Sequence, residues 1–165
     1  MTRLPYYVHT GCQHGNFCQH AILFRMKHPE THTEVPAATR TGRSSAGIGL
    51  FATAPIKKGA LIIEYTGERI TVDEADQRGG QYLFQVTDTL TIDGRGRENK
   101  ARYINHSCRG NAEAEHLEDG DRIFIRAKRA IKEGEEITYH YGKEFFETYI
   151  KPKGCRCVKC TEVKK

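Results

Sequence analysis

Three cysteines near the C-terminus constrain this chain more than any other feature. They stand in the run Cys155-Arg-Cys157-Val-Lys-Cys160. Residues 151–165 around them are basic and almost without apolar side chains. Such a segment cannot bury enough apolar surface to order itself. Zinc held by thiolates would supply that order directly. Three thiolates leave one vertex of a closed tetrahedral site vacant, and Cys108 can fill it. A fold that meets this condition must bring residue 108 back to residues 155–160. The alternative is a cluster of free thiols in a floppy tail.

Cys108 closes the stretch 102–108, Arg-Tyr-Ile-Asn-His-Ser-Cys. An amide, an imidazole, a hydroxyl and a thiol stand side by side, and only Tyr103 and Ile104 look like core. Adjacent polar side chains of this kind either face water or serve a site.

The length, 165 residues, fits one domain with a real core. Apolar residues at 38% and charged residues at 28% suit a soluble globular protein. No apolar run reaches the length of a membrane span. The N-terminus lacks the apolar stretch of a signal peptide, so a cytoplasmic location is expected. In a reducing compartment, six cysteines point to metal or reactive thiols instead of disulfides. The net charge of +5 is a mild excess, with 21 acids against 26 Lys and Arg, and does not imply nucleic acid.

Residues 1–37 read as a poorly ordered N-terminal extension. They hold Cys12, His14, Cys18 and His20, which are zinc ligand types at a spacing that fits no named pattern. Residues 21–28 could form one short strand or helix, ended by Pro29. From Ala38 the texture is short β segments broken by glycine. Strands are expected at 47–52, 60–65, 121–126 and 136–141, with a hairpin from 82–86 and 90–92. A short helix is expected over 71–80, capped by Thr71 or Asp73 and stopped by Gly79-Gly80. Helical turns are expected at 99–104 and 142–150. The acids Glu113, Glu115, Glu118, Asp119 and Asp121 read as a solvated loop, or as an attractor for a basic peptide.

The chain also echoes itself. Shifted by 75 positions, Ala52, Ile56, Lys57, Gly59, Ile62 and Gly67 fall on Ala127, Ile131, Lys132, Gly134, Ile137 and Gly142. Two similar strand-turn-strand units therefore flank the 102–108 stretch.

Gly47-Ile48-Gly49 serves either a bulge or turn, or the close approach of a ligand to bare backbone. It lacks the strand-to-helix context of a dinucleotide fingerprint, which argues against NAD. In Glu135-Glu136-Ile137-Thr138-Tyr139-His140-Tyr141-Gly142, two tyrosines fall on one face of a strand. An ordinary aromatic pair would look the same. Gly142 marks the strand end and leaves the Tyr141 hydroxyl near an edge or cleft.

Four motifs now stand in order: Gly47-Ile48-Gly49, Tyr65-Thr66-Gly67, the 102–108 stretch and residues 136–142, followed by the three-cysteine tail. Together they resemble the SET-domain family of protein lysine methyltransferases with a post-SET zinc segment. The resemblance covers about residues 38–160. No cysteine-rich pre-SET cluster is present in the sequence; small SET proteins of bacteria and viruses look like this, as does an isolated domain from a larger protein.

The resemblance implies a mainly β fold of several small sheets with a knot-like C-terminal crossing and a zinc-bound tail. It divides the chain into the extension 1–37, a SET domain at 38–143 and a post-SET segment at 144–165. It implies S-adenosyl-L-methionine as cofactor. Gly47, Ile48 and Gly49 would wrap its methionine end, with Tyr82 alongside and Arg102 in the same site. Asn105 and His106 would hold its amino group and adenine, and Phe146 would stack on the adenine. Tyr65 and Tyr139 would line a lysine channel, with Tyr141 at the methyl group. Cys108, Cys155, Cys157 and Cys160 would hold structural zinc. The partner would be a protein with an exposed lysine, a histone or basic tail among the candidates, which would make the location nuclear or chromosomal. A tyrosine at 139 implies mainly monomethylation, because its hydroxyl leaves little room for a second methyl group.

The sequence departs from the family at His140, where Asp is usual, and at Gly110-Asn111, where Pro-Asn is usual. Its tail spacing, Cys-x-Cys-x₂-Cys, is two residues tighter than the usual one. Two readings from other classes compete: a catalytically idle SET fold that binds peptide or cofactor, and a small zinc protein that binds nucleic acid through its basic tail.

Overall fold

A computed structural model describes residues 37–162. The Cys12, His14, Cys18 and His20 group, the 21–28 segment and the last three residues lie outside the described residues.

Among the described residues, ten short strands make three small sheets. The first contains β1 (Thr39–Ser44), β2 (Gly47–Ala52), β10 (Glu136–Tyr139) and β7 (Asn105–His106), in the order β1-β2-β10-β7. The second runs β3-β9-β8, from β3 (Leu61–Tyr65), β9 (Arg122–Ala127) and β8 (Ala112–Leu117). The third runs β4-β6-β5, from β4 (Glu68–Thr71), β6 (Leu90–Asp93) and β5 (Leu83–Gln85). One core of Leu50, Ile62, Ile92, Ile104, Ile125 and Ile137, among others, sits between them.

The helical signals act as written. Helix α1 (Val72–Arg78) begins at Thr71, whose side chain accepts from Glu74 N–H while the Glu74 carboxylate accepts from Thr71 N–H. This capping box satisfies two of the donors a helix start leaves open. Gly79 ends α1 in the left-handed region, at φ 58°. Residues Lys100–Tyr103 form one 3₁₀ turn. After β10, Gly142 at φ 94° turns the chain into α2 (Lys143–Phe145), which runs on through a π turn at Phe146–Ile150.

The echo is structural. Ile56 and Ile131 donate to each other's carbonyls, both at 2.9 Å. Gly59 N–H donates to Ala127 O and Gly134 N–H to Ala52 O, both at 2.8 Å. Ala52 N–H donates to Glu135 O and Ala127 N–H to Ala60 O, both at 3.0 Å. Each pair maps onto itself under the shift of 75, so the two strand-turn units clasp each other about a local two-fold axis. Backbone groups that would otherwise be buried unpaired are satisfied reciprocally.

The acidic run departs from expectation. Residues 112–117 are not a loop but β8, paired along its length with β9. Glu115 is consumed by Arg126 at 2.5 Å, and Asp121 by His116 at 3.1 Å. Strand β1 was also unread; its Thr-Arg-Thr-Gly-Arg-Ser sequence has no apolar alternation, and β2 holds it in place residue by residue.

Candidate functional site

The site forms where β10 passes between β2 and β7. Strand β7 pairs with β10 in parallel, Asn105 opposite Thr138 and His106 opposite Tyr139. Buried Asn111 braces this crossing: its Oδ1 accepts from Thr138 N–H, and its Nδ2 donates to Glu136 O. The expected site residues of β2, β7 and β10 are thereby gathered into one sheet.

Three tyrosines converge beside it. Tyr139 and Tyr141 have ring centroids 5.0 Å apart. The Tyr141 hydroxyl donates to Ile104 O at 2.6 Å. Tyr65, only 4% exposed, donates its hydroxyl to Tyr82 O at 2.9 Å. Burial pushes the Tyr141 hydroxyl well above the ordinary tyrosine value, and the neighbouring Tyr65, Tyr82 and Glu136 add to this. Burial does the same to Tyr65, against the pull of nearby Arg102. Both are therefore neutral phenols at physiological pH, able to donate and accept.

Tyr82 and Arg102 act together. The Arg102 guanidinium lies 4.1 Å from the Tyr82 ring centroid, a cation–π contact. The tight packing here depends on missing side chains. A Cβ at Gly94 would strike the Tyr65 ring, and one at Gly67 would strike the Asp93 carbonyl.

The two glycines of Gly47-Ile48-Gly49 serve different ends. Gly47 has φ 121°, a conformation that side chains resist. Gly49 has no such angle, but a Cβ there would lie 2.5 Å from Glu136 Oε1. Ile48 between them is 58% exposed, with its carbonyl accepting from Asn105 Nδ2 at 3.1 Å.

His106 joins the tyrosines to the cysteines. Its Nδ1 accepts from Tyr141 N–H at 3.2 Å, so the neutral ring carries its proton on Nε2, 3.4 Å from Cys108 Sγ. Burial lowers this histidine to about 4, helped by the charge of His140. Phe146 packs on the His106 ring at 5.3 Å, and Phe145 meets Tyr141 edge-on at 5.2 Å.

The four cysteines meet. Their Sγ atoms all lie within 4.8 Å of one another. Tetrahedral zinc with Zn–S of about 2.3 Å requires S···S edges of about 3.8 Å. Cys108 Sγ is 3.9 Å from Cys155 Sγ and 3.7 Å from Cys160 Sγ. The tight tail spacing fits because Cys160 N–H donates to Cys157 O at 2.9 Å, which folds Cys-x₂-Cys into the first turn of α3 (Val158–Glu162). The donor set and its spacing are those of a structural zinc site. Ser45 Oγ also donates to Arg156 O at 3.3 Å, so the tail touches the β1–β2 turn.

A cleft of about 360 Å³ opens beside this crossing. Ser44–Ala46, Asn105, His106, Glu136 and the Cys157–Lys159 turn are among its lining. Sequence reasoning passed over Ser44 and Glu136. The available signal was an acid at 136 whose side chain falls on the opposite face of β10 from Ile137 and Tyr139.

The SET domain family model matches residues 47–142. Over 160 residues, 91% of this chain, the sequence is 33% identical to the histone-lysine N-methyltransferase ash1 of Drosophila melanogaster. Over 125 residues, 69% of this chain, it is 41% identical to the histone-lysine N-methyltransferase set1 of Dictyostelium discoideum. It spans only 7% and 8% of those relatives. Among solved structures, a chain of the Chaetomium thermophilum polycomb repressive complex 2 is similar over 66% of this chain and 16% of its own length, with 34% identity and a TM-score of 0.62. A ctPRC2 chain in an autoinhibited conformation bound to S-adenosylmethionine is similar over 66% of this chain and 15% of its own, with 34% identity and a TM-score of 0.59. The chain belongs to the SET-domain family.

Proposed function

We propose that this chain transfers a methyl group from S-adenosylmethionine to the side chain of a lysine in a protein, mainly once per lysine. One observation carries the reading: the Tyr141 hydroxyl, on a half-buried side chain, is fixed 2.6 Å from Ile104 O, one residue ahead of Asn105-His106. That bond ties Tyr141 to the chain just before the residues read as cofactor ligands, which supports one shared site. The homologues named histone-lysine N-methyltransferases support a histone or another basic tail as substrate, and with it a nuclear or chromosomal location.

When bound, the cofactor supplies a methyl sulfonium, an electrophile that needs no covalent activation. The protein's part is to present a neutral amine in line with it. A free lysine has a pKa of about 10.4. A positive charge about 4 Å away, at an effective dielectric near 20, disfavours the ammonium by roughly 4 kcal/mol, or roughly three pKa units. Buried Tyr65 and Tyr139 add desolvation. Tyr141 and Tyr65, held as phenols, orient the amine through their hydroxyls. Asn105, His106, Ile48 and Phe146 form the cofactor's side of the site. Cys108, Cys155, Cys157 and Cys160 hold zinc and pin the tail there.

The test is incubation of the zinc-loaded chain with labelled S-adenosylmethionine, histones and cell lysate, beside Tyr141→Phe. Label on protein lysine that falls about 10²-fold or more in the variant is expected. Cofactor binding without transfer would favour the idle fold. Folded, zinc-loaded protein that binds no cofactor would overturn the reading.

A further inference from the structure

Glu136 is an acid to whose carboxylate the proposed reaction assigns no role. Its carboxylate stands between the two halves of the cofactor side. Oε2 accepts from Ser44 Oγ at 2.8 Å, at the end of β1. Oε1 accepts from Asn105 Nδ2 at 2.8 Å, on β7. The second proton of that same nitrogen goes to Ile48 O at 3.1 Å. Both amide protons of Asn105 are therefore engaged. An asparagine amide whose two N–H groups are bound has one group left to offer, its Oδ1, which only accepts. The absent side chain of Gly49 makes the room, since a Cβ there would lie 2.5 Å from Glu136 Oε1.

We propose that Glu136 is a positioning residue for cofactor recognition: it fixes the Asn105 amide as an acceptor and makes the site selective for a cationic amine. The inference rests on the reading that the ligand is S-adenosylmethionine, whose amino-acid end carries an ammonium. Asn105 Oδ1 and Ile48 O are then the acceptors offered to the amine, with the Glu136 carboxylate held behind the Asn105 nitrogen. A charge-assisted hydrogen bond is roughly twice as strong as a neutral one. The arrangement also gives Gly49 its reason: the bare backbone admits a carboxylate of the protein itself.

The experiment compares two probes by calorimetry on the full, zinc-loaded chain: S-adenosylhomocysteine and its analogue lacking only the α-amino group. The ratio of their dissociation constants isolates the amine. Wild type should prefer the amine-bearing probe about tenfold or more. Glu136→Gln should reduce that ratio to about twofold by weakening only the amine-bearing probe. An unchanged ratio in Glu136→Gln, or an equal loss on both probes, would overturn the proposal. Ser44→Ala loosens the same carboxylate from outside the core. It should lower the ratio about threefold, and it decides the matter should Glu136→Gln fail to fold. Wild type that binds neither probe would overturn the cofactor reading itself, a result separate from those on the ratio.

Discussion

Ile56 and Ile131 lie 75 residues apart and exchange both of their backbone hydrogen bonds at 2.9 Å. Each is the midpoint of one strand-turn unit, and each is nearly buried, at 5% and 1% exposure. They join the turn after β2 to the turn before β10, strands that also pair with each other directly. Ile131→Ala should cost about 3 kcal/mol of stability and Ile56→Ala about the same. The double variant should depart from additivity, since the two residues share one contact. Urea denaturation of the four proteins measures this. A strictly additive result would mean that the two turns do not act as one clasp.

Glu135 flanks the same clasp and gives it a pH dependence. Partial burial works against its ionised form, but hydrogen bonds from Arg129, Lys132 N–H and Asn111 win and hold it down to about 2. A carboxyl lower in the folded state than its ordinary 4.5 contributes stability above that value, and the contribution is lost as pH falls toward 2. The side chain is 28% exposed, so roughly 1–2 kcal/mol is the expected size. Glu135→Gln should be less stable than wild type by that amount at pH 7. The difference should vanish near pH 2, as followed by denaturation across pH; a gap that stays constant would assign the effect to packing.

What the sequence made legible follows from how many residues carried each signal. The repeated strand-turn unit was visible because six positions repeat, among them glycines whose turns demand them, such as Gly59 and Gly134 with φ 84° and 77°; that the two units clasp each other was not. Helix α1 was visible because Thr71 is a capping residue type and Gly79 a stop, and both act so. Strands β1 and β8 were hidden because pairing, not apolar alternation, holds them. In β8 the acids looked like solvated charge until Glu115 was found against Arg126. Asn105 and His106 could be named from their motif. The carboxylate of Glu136 behind Asn105 could not, since the bond joins residues 31 apart in sequence on strands whose register no pattern announces.

Removal of zinc should release the tail without unfolding the core. The four sulfurs hold residues 155–160 to residue 108, and α3 is too short to stand alone. A chelator should free about one zinc per chain and open a protease site beyond Gly154. Cys108→Ser should do the same as Cys157→Ser, although Cys108 lies outside the tail. Zinc release followed by dye absorbance, with cleavage read by mass, tests this. A tail that stays protected without metal would mean that packing orders it.

The proposed reaction has a pH dependence that the state of Tyr141 shapes. Its hydroxyl is pushed above the ordinary tyrosine value by burial and by Tyr65, Tyr82 and Glu136, so it stays protonated through the physiological range. The group that must lose a proton is then the substrate amine, lowered from about 10.4 by roughly three units beside the sulfonium. The rate at saturating substrate should rise through one apparent pKa of about 7–8 and be flat above it. A rate still climbing beyond pH 10 would mean that tyrosinate is the base.

Under the proposed reading, Tyr139 is the residue that limits how many methyl groups one lysine receives. It is 9% exposed, with its ring 5.0 Å from that of Tyr141; if the lysine enters beside these rings, the Tyr139 hydroxyl competes with a second methyl group for space. Tyr139→Phe removes one oxygen and keeps the ring, a change that costs little packing. It should shift the product from mainly monomethyl-lysine toward di- and trimethyl-lysine with the first transfer slowed less than about tenfold. Mass spectrometry of a lysine peptide at several times gives the distribution directly. A variant that still stops at one methyl group would place the limit elsewhere, with Tyr65 the next residue to change, since its ring fills the space that Gly94 leaves open.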